Sequence, residues 1–119
     1  MNIKLYDSEL RVMDVLWKKG EMSAKDIALQ LEKDIAWNKN TTYTIIKKCI
    51  KKGAIERKEP NFVCKPLISR EEVRKYEINE LTNRLFGGSR LSLLSSFVES
   101  DDLTQEEWKQ IWTIINQKK

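Results

Sequence analysis

The chain has 119 residues, of which 40% are hydrophobic and 34% charged, and its formal net charge is +4. This composition is typical of one globular domain, or of a small domain with an appendage, and excludes an intrinsically disordered chain. No run of about 18 apolar residues is present, which excludes a membrane-spanning helix. The N-terminal sequence lacks the apolar core of a signal peptide, so we expect a cytoplasmic protein without membrane insertion.

Positive charge is concentrated in the first part of the chain. Residues 1–68 contain 14 Lys and Arg against 9 Asp and Glu, whereas residues 69–119 contain 8 against 9. Within the first part, residues 38–58 contain 7 cations and Glu56 as their one carboxylate. A basic patch of this kind favours a polyanionic partner.

The first predicted helix follows a short N-terminal segment. Residues 1–6 are predicted to form a loose arm, after which Asp7 caps a helix over residues 8–19. Gly20 is predicted to end this helix. Its apolar side chains form a wide stripe that is suited to a core.

The second predicted helix covers residues 24–32. Ser23 and Asp26 resemble a capping box in which Asp replaces the usual Glu. Residues 34–37 are predicted as a turn, in which Trp37 packs against the start of the next helix.

The stretch from Asn38 to Gly53 predicts a third helix with a distinct start and end. The Asn38 side chain can accept a hydrogen bond from the first turn, and Gly53 can adopt a positive φ without steric cost. The buried face is predicted from the helical spacing of Thr42, Ile45, Ile46, Cys49 and Ile50.

The opposite face of this helix has amides, hydroxyls and cations but no carboxylate. A face with these side-chain types suits a helix in the major groove of DNA, although basic faces also occur on ordinary surface helices. Tyr43 and Thr44 are predicted to reach base edges, and the first-turn residues to meet phosphates. Of Lys47, Lys48, Lys51 and Lys52, some are expected to contact phosphate and the others only to add to the positive field. The candidate contacts are Lys39, Asn40, Thr41, Tyr43, Thr44, Lys47, Lys48 and Lys51.

After Gly53 the pattern changes to two short strands. Residues 54–59 and 62–66 are predicted to pair around a turn at Pro60 and Asn61. The order helix, helix, helix, hairpin predicts a winged helix-turn-helix DNA-binding domain over residues 1–68. In this arrangement Arg57 and Lys58 are candidate wing contacts to DNA, with a solvated strand edge as the alternative.

The remaining residues, 69–119, predict a helical dimerisation domain, so that the fold is mainly α with a small β-hairpin. Capping boxes beginning at Ser69 and Thr104 open two helices, Gly87 and Gly88 break the chain, and a short helix lies between. These helices carry more apolar side chains than they could bury alone, and we expect two copies to pack together. The candidate dimer contacts are Tyr76, Leu81, Leu85, Leu94, Phe97, Val98, Trp108, Ile111, Trp112 and Ile115.

The sequence offers little to catalysis or metal binding. It has no His, no phosphate-binding Gly loop, and no Ser or Cys with a base nearby, so we predict no enzyme, no cofactor and no metal site. Cys49 is predicted to be a small core residue, and Cys64 to be somewhat more open to a redox role because hairpins are exposed.

Taken together, these features resemble the beta-lactamase and methicillin-resistance repressors, and their relatives the copper-responsive repressors. The resemblance covers nearly the whole chain, and the order and spacing of its marks make it specific. In the first part it is carried by Val12–Met13, Trp17, Trp37, Thr41, Thr44, residues 51–53 and residues 69–72. In the second part it is carried by Gly87–Gly88, Leu93–Leu94, residues 96–99, residues 102–104 and residues 106–107.

The resemblance implies a dimer that binds an inverted-repeat operator and represses resistance genes. In the beta-lactam branch, a membrane-bound sensor protease detects the antibiotic, and the repressor is cut at an Asn–Phe bond in its dimerisation region. The matching bond in this chain is Ser96–Phe97, where Ser replaces Asn. The copper branch carries a CxC motif twice at its C-terminus, whereas residues 115–119 of this sequence contain no Cys and the sequence has no His, which favours the beta-lactam branch.

A protein-interaction module is the alternative from another class, because winged helices also serve as docking domains that never contact DNA. The carboxylate-free face of the third helix favours DNA, since a docking surface has no reason to exclude negative charge. A copper-type repressor of the same fold without the metal motif is the second alternative.

Overall fold

The computed structural model describes residues 3–118 and divides the chain into two compact units, Met1–Glu77 and Ile78–Lys119. The first unit contains helices and a small sheet, and the second is helical. Along the chain the elements are α1 (Asp7–Lys19), β1 (Met22–Ser23), α2 (Ala24–Ile35), α3 (Lys39–Lys51), β2 (Ile55–Lys58), β3 (Val63–Pro66), α4 (Arg70–Leu85), α5 (Arg90–Glu99) and α6 (Gln105–Gln117). This order confirms a winged helix-turn-helix fold followed by helices.

The segment before α1 is anchored, so the predicted loose arm is wrong for its described part. Leu5 is 2% exposed and belongs to the core, while residues 1 and 2 lie outside the described residues. The N-cap is Tyr6 and not Asp7, whose carboxylate instead lies in the first turn. Glu9 accepts the free N–H of Tyr6 at 2.7 Å, which satisfies one of the donors that a helix start exposes. Gly20 ends α1 with φ 85°, as predicted.

Helix α2 is longer than its sequence pattern indicated. It continues to Ile35, and Ala36 ends it in the left-handed conformation with φ 56°. The predicted turn over residues 34–37 therefore begins two residues later, because Ile35 packs against the core and extends the buried stripe. The predicted start is confirmed, since the Ser23 hydroxyl accepts the N–H of Asp26 at 3.1 Å. Trp37 is half-buried against the same core.

The sheet has three strands in the order β1-β3-β2, and both pairs are antiparallel. The sequence predicted β2 and β3 as a hairpin but missed β1, which pairs Met22 with Cys64. A strand of two residues has no periodicity of its own, so its pairing partner defines it. The Cys64 side chain on β3 belongs to the core and is fully buried, whereas that of its neighbour Lys65 is exposed, so the expectation of an exposed hairpin thiol is wrong.

One hydrophobic core holds the first unit together. Apolar side chains of α1, α2 and α3 pack with the sheet and with the start of α4, where Val73 is 6% exposed. The Trp17 indole donates to the carbonyl of Ile68 at 3.0 Å and ties α1 to the segment before α4. The first compact unit therefore extends beyond the predicted boundary at residue 68, because the first turns of α4 complete its core. The assignment of residues 69–119 to dimerisation stays a prediction.

The second unit begins within α4 and consists of helical segments with well-formed caps. The Ser89 hydroxyl accepts the N–H of Ser92, and Thr104 and Glu107 form a reciprocal capping box. Neither α5 nor α6 has a buried residue within a single chain. Trp112, for example, is 62% exposed. Among the described residues, no helix is long and apolar enough to span a bilayer.

Candidate nucleic-acid interface

Helix α3 separates its residues as the sequence pattern predicts. Thr42, Ile45, Ile46 and Cys49 are buried, and Asn38 caps the first turn. The side chains on the opposite side are exposed apart from Tyr43, and none carries a carboxylate. We call this side, formed by Lys39, Asn40, Thr41, Tyr43, Thr44, Lys47, Lys48 and Lys51, the outer face of α3.

The first turn of α3 presents donors and cations together. The Asn38 side chain accepts the N–H of Asn40 at 2.7 Å, so that this amide is already satisfied. The N–H groups of Lys39 and Thr41 belong to the same positive helix end, and both side chains are exposed. This end of the helix favours an anion such as a phosphate.

Tyr43 is less free than the sequence pattern implied. It is half-buried, and its ring meets that of Phe62 edge to face, with the centroids 5.9 Å apart. The Lys39 ammonium lies 5.7 Å from the same Tyr43 ring. The sequence did not single out Phe62, although an aromatic residue directly after the Pro60–Asn61 turn was the available signal. Tyr43 therefore lies where the outer face of α3 meets the hairpin.

Thr44 and the remaining lysines are open to solvent. The Thr44 hydroxyl donates to the carbonyl of Asn40 at 2.9 Å, which leaves its oxygen free to accept a hydrogen bond. Lys47, Lys48 and Lys51 are exposed along the next two turns. Three exposed cations within two turns attract a polyanion at long range.

Lys52 has a structural role, in contrast to the other lysines of this stretch. Its ammonium donates to the Glu9 carboxylate at 2.6 Å and to the carbonyl of Lys4 at 2.8 Å, and it lies 4.5 Å from the Tyr6 ring. Glu9 is 2% exposed, and a buried carboxylate needs a partner of opposite charge. The end of α3 is thus held to the start of α1.

Both wing candidates of the hairpin are paired with carboxylates. Arg57 donates through Nε to Glu59, and its guanidinium lies 3.7 Å from the centroid of the Phe62 ring. Lys58 contacts Glu21 at 3.3 Å. The hydrogen bond from Arg57, followed by that from the N–H of Phe62, lowers the pKa of Glu59, which keeps this carboxylate charged. These partners reduce the net positive charge of the wing.

The two thiols lie inside the first unit. Burial, and next the charge of Glu9, raise the pKa of Cys49 to about 12, and burial raises that of Cys64 to about 11. Both cysteines are free. Because the thiolate is the reactive form, both side chains are inert at neutral pH in the folded protein.

The candidate dimer contacts differ in exposure. Leu94, Phe97 and Val98 recur at helical spacing on α5, and each is about half exposed, for example Phe97 at 53%. On α6, Trp108 and Ile111 are partly covered, whereas Trp112 and Ile115 are exposed. Tyr76 and Leu81 are partly covered on α4, and Leu85 is exposed.

A family model described as penicillinase repressor matches residues 5–117. The chain is 31% identical over 123 residues to the methicillin resistance regulatory protein MecI of Mammaliicoccus sciuri, covering 99% of this chain and 100% of that protein. It is 29% identical over 118 residues to the penicillinase repressor of Bacillus licheniformis, covering 98% of this chain and 92% of the relative.

Two solved structures are similar to this fold. One is the solution structure of the DNA-binding domain of the repressor BlaI, with a TM-score of 0.55 and 30% identity, over 60% of this chain and 90% of that one. The other is the monomeric form of BlaI from Bacillus licheniformis in complex with the blaP half-operator, with a TM-score of 0.52, 30% identity and the same coverage of both chains.

Proposed function

Because this chain belongs to the penicillinase repressor family, we propose that it is a DNA-binding transcriptional repressor of β-lactam resistance genes. The relatives are a penicillinase repressor and a methicillin resistance regulatory protein. Such regulatory proteins are not enzymes. A repressor of bacterial genes acts on DNA in the cytoplasm, and the proposal places the protein there. Family membership supports this function over that of a docking module and over the copper branch.

The observation that carries the proposal is the outer face of α3. Exposed hydroxyls, an amide and cations lie opposite a buried face, and no carboxylate interrupts them. Phosphates bind the cations, and base edges in the major groove offer partners to hydroxyl and amide groups. The similar structure of BlaI was solved in complex with a half-operator, which supports DNA binding by this chain.

The proposal includes a homodimer on an inverted-repeat operator. In a single chain, Leu94, Phe97 and Trp112 leave large apolar surfaces in water. Such surfaces mark interaction sites, and a second copy offers the same apolar composition. Two linked DNA-binding units bind two half-sites with an effective concentration that reaches the millimolar range.

Release by proteolysis completes the proposal, with a membrane-bound sensor protease as the second protein partner. The Ser96–Phe97 bond lies inside α5, and both residues are exposed. Proteases act on extended segments, so α5 must unwind locally before cleavage. This helix of 10 residues has no buried side chain within its own chain, so its stability depends on the partner copy, and unwinding requires local opening of that contact.

A DNA-binding titration tests the central proposal. The operator is first selected from random duplexes with the intact protein, and its affinity is then compared with that of a scrambled duplex at several salt concentrations. We expect preferential operator binding, with log K falling by about 0.9 per log unit of salt for each neutralised phosphate. Binding that responds weakly to salt, or that fails to distinguish the two duplexes, contradicts the proposal.

A further inference from the structure

Phe62 connects three elements of the first unit. Its ring packs edge to face on Tyr43 of α3, with an interplanar angle of 69°. On the hairpin, the Arg57 guanidinium of β2 lies 3.7 Å from the centroid of the same ring. The Phe62 carbonyl accepts the N–H of Ala24, the first residue of α2, at 2.9 Å. One residue thus contacts both helices of the helix-turn-helix and the wing.

The backbone at Phe62 is unusual for an aromatic residue. Phe62 has φ 51° and follows Asn61, which has φ 74°. Glycine and Asn adopt this left-handed region readily, whereas a bulky side chain pays a steric cost there. A strained residue persists where its surroundings compensate for the strain, and such residues concentrate at functional sites. The structure shows two kinds of compensating interaction: the ring contacts with Tyr43 and Arg57, and the hydrogen bonds of the Phe62 backbone with Ala24 and Glu59.

The consequence for Tyr43 is a fixed ring. Phe62 packs against it from the hairpin, and the Lys39 ammonium lies near it one helical turn before. The Tyr43 hydroxyl is the one polar group that this side chain can offer to a base or a phosphate. Its position therefore depends on the contact with Phe62.

We propose that Phe62 is a positioning residue for operator recognition, which holds the Tyr43 ring of α3 in the arrangement that specific binding requires. The inference rests on the proposed function, and it names a residue that contributes to the specificity of operator binding. A side chain that is ordered before binding loses less conformational entropy in the specific complex. Nonspecific binding depends on phosphate charge and does not need an ordered ring.

The test replaces the ring while keeping its bulk. Phe62→Leu should lower the ratio of operator to scrambled-duplex affinity by about 2- to 10-fold, which corresponds to the loss of an aromatic pair. The affinity for the scrambled duplex and its salt slope should stay unchanged. Phe62→Tyr, which keeps the ring, should retain most of the ratio. Thermal unfolding checks that all variants are folded at the assay temperature.

A double-mutant cycle separates positioning from direct contact with DNA. In the Tyr43→Ala background, Phe62→Leu should change the ratio by much less than in the unaltered protein, because the positioned side chain is gone. Equal losses in both backgrounds mean that Phe62 acts without Tyr43 and overturn the inference. An unchanged ratio for Phe62→Leu also overturns it.

The failure of the inference can be told apart from that of the proposed function. If the unaltered protein prefers its operator and Phe62→Leu keeps the full preference, the inference alone is wrong. If the unaltered protein does not distinguish the two duplexes, the proposed function is wrong and the inference is wrong with it.

Discussion

Individual side chains of α3 have two different tasks. Thr44 and Lys48 are exposed on its outer face, whereas Thr42 is fully buried and Lys52 is bound to Glu9. The chemical type of a side chain does not decide its task, since one Thr is exposed and the other buried, and one Lys is free of Glu9 while the other is bound to it. The rotation of about 100° per residue turns Thr42 into the core and Thr44 into solvent. Lys48 and Lys52 lie one turn apart, and Lys52, the C-cap residue after α3, is the one that is bound to Glu9.

The outer face gives the first prediction. Thr44→Ala should weaken operator binding by about 1–3 kcal/mol and leave the affinity for a scrambled duplex nearly unchanged, if the hydroxyl contacts a base edge. Lys48→Ala is the matched variant one turn later, and it should weaken both affinities alike and reduce the salt slope by about 0.9. Titration of both duplexes measures these effects. Equal losses for Thr44→Ala on the two duplexes would show that Thr44 does not contribute to sequence recognition.

The buried face gives the second prediction. The Thr42 hydroxyl is fully buried and finds no hydrogen-bond partner among the residues that the structure describes. An unsatisfied buried polar group costs about 1–3 kcal/mol. Thr42→Val keeps the shape and removes this group, so the free energy of unfolding should rise by about 1 kcal/mol. Urea denaturation measures it, and Thr41→Val, an exposed neighbour, is the control that should change little. A decrease for Thr42→Val would mean that the hydroxyl is satisfied in solution.

At the scale of elements, the hairpin differs from α3 in its charge. Helix α3 has cations without carboxylates, whereas the cations of β2 are paired with Glu21 and Glu59. A paired cation attracts a phosphate less strongly, because part of its charge is already compensated. We therefore expect α3 to contribute most of the electrostatic binding energy and the wing less.

A substitution at Glu21 tests the contribution of the wing. Glu21→Gln removes the carboxylate that lies 3.3 Å from Lys58. Lys58 should then be free to contact a phosphate, so the affinity for any duplex should rise and the salt slope should steepen by about 0.9. Glu71→Gln, at an exposed position in the first turn of α4, removes the same charge as a control. Equal gains for both variants would indicate an effect of net charge alone.

At the scale of the whole molecule, the two units differ in what a single chain can bury. The first unit has a core of fully buried side chains, whereas the apolar residues of α5 and α6 stay exposed or only partly covered. This contrast fits a DNA-binding unit that is complete by itself and a helical unit that needs a partner. Under the proposed function, cleavage in α5 would separate the two copies and end repression without any change at α3.

Truncation tests this arrangement. A chain that ends at Ser96 lacks Phe97 and the whole of α6, and we expect it to be monomeric by analytical ultracentrifugation. Its operator affinity should fall strongly because the second half-site no longer binds intramolecularly, while its first unit stays folded by circular dichroism. Trp112→Ala in the full chain is a milder variant that should weaken the dimer in the same direction. A truncated chain that dimerises and binds the full operator as tightly as the intact protein would contradict the account.

The sequence by itself determined the helical elements, the hairpin, the N-caps at Ser23, Asn38 and Thr104, and the outer face of α3. These features depend on local spacing and on residues close in the chain, such as Asn38 with Asn40 or Thr104 with Glu107. Local spacing also placed Cys49 in the core.

Only the tertiary structure decided which partners distant residues find. It paired β1 with β3, packed Cys64 into the core, tied Lys52 to Glu9, and brought Phe62 to Tyr43. Such contacts join residues that are between 19 and 43 positions apart in the chain. No local periodicity encodes them, because they form when separate elements pack on one core and place their side chains next to each other.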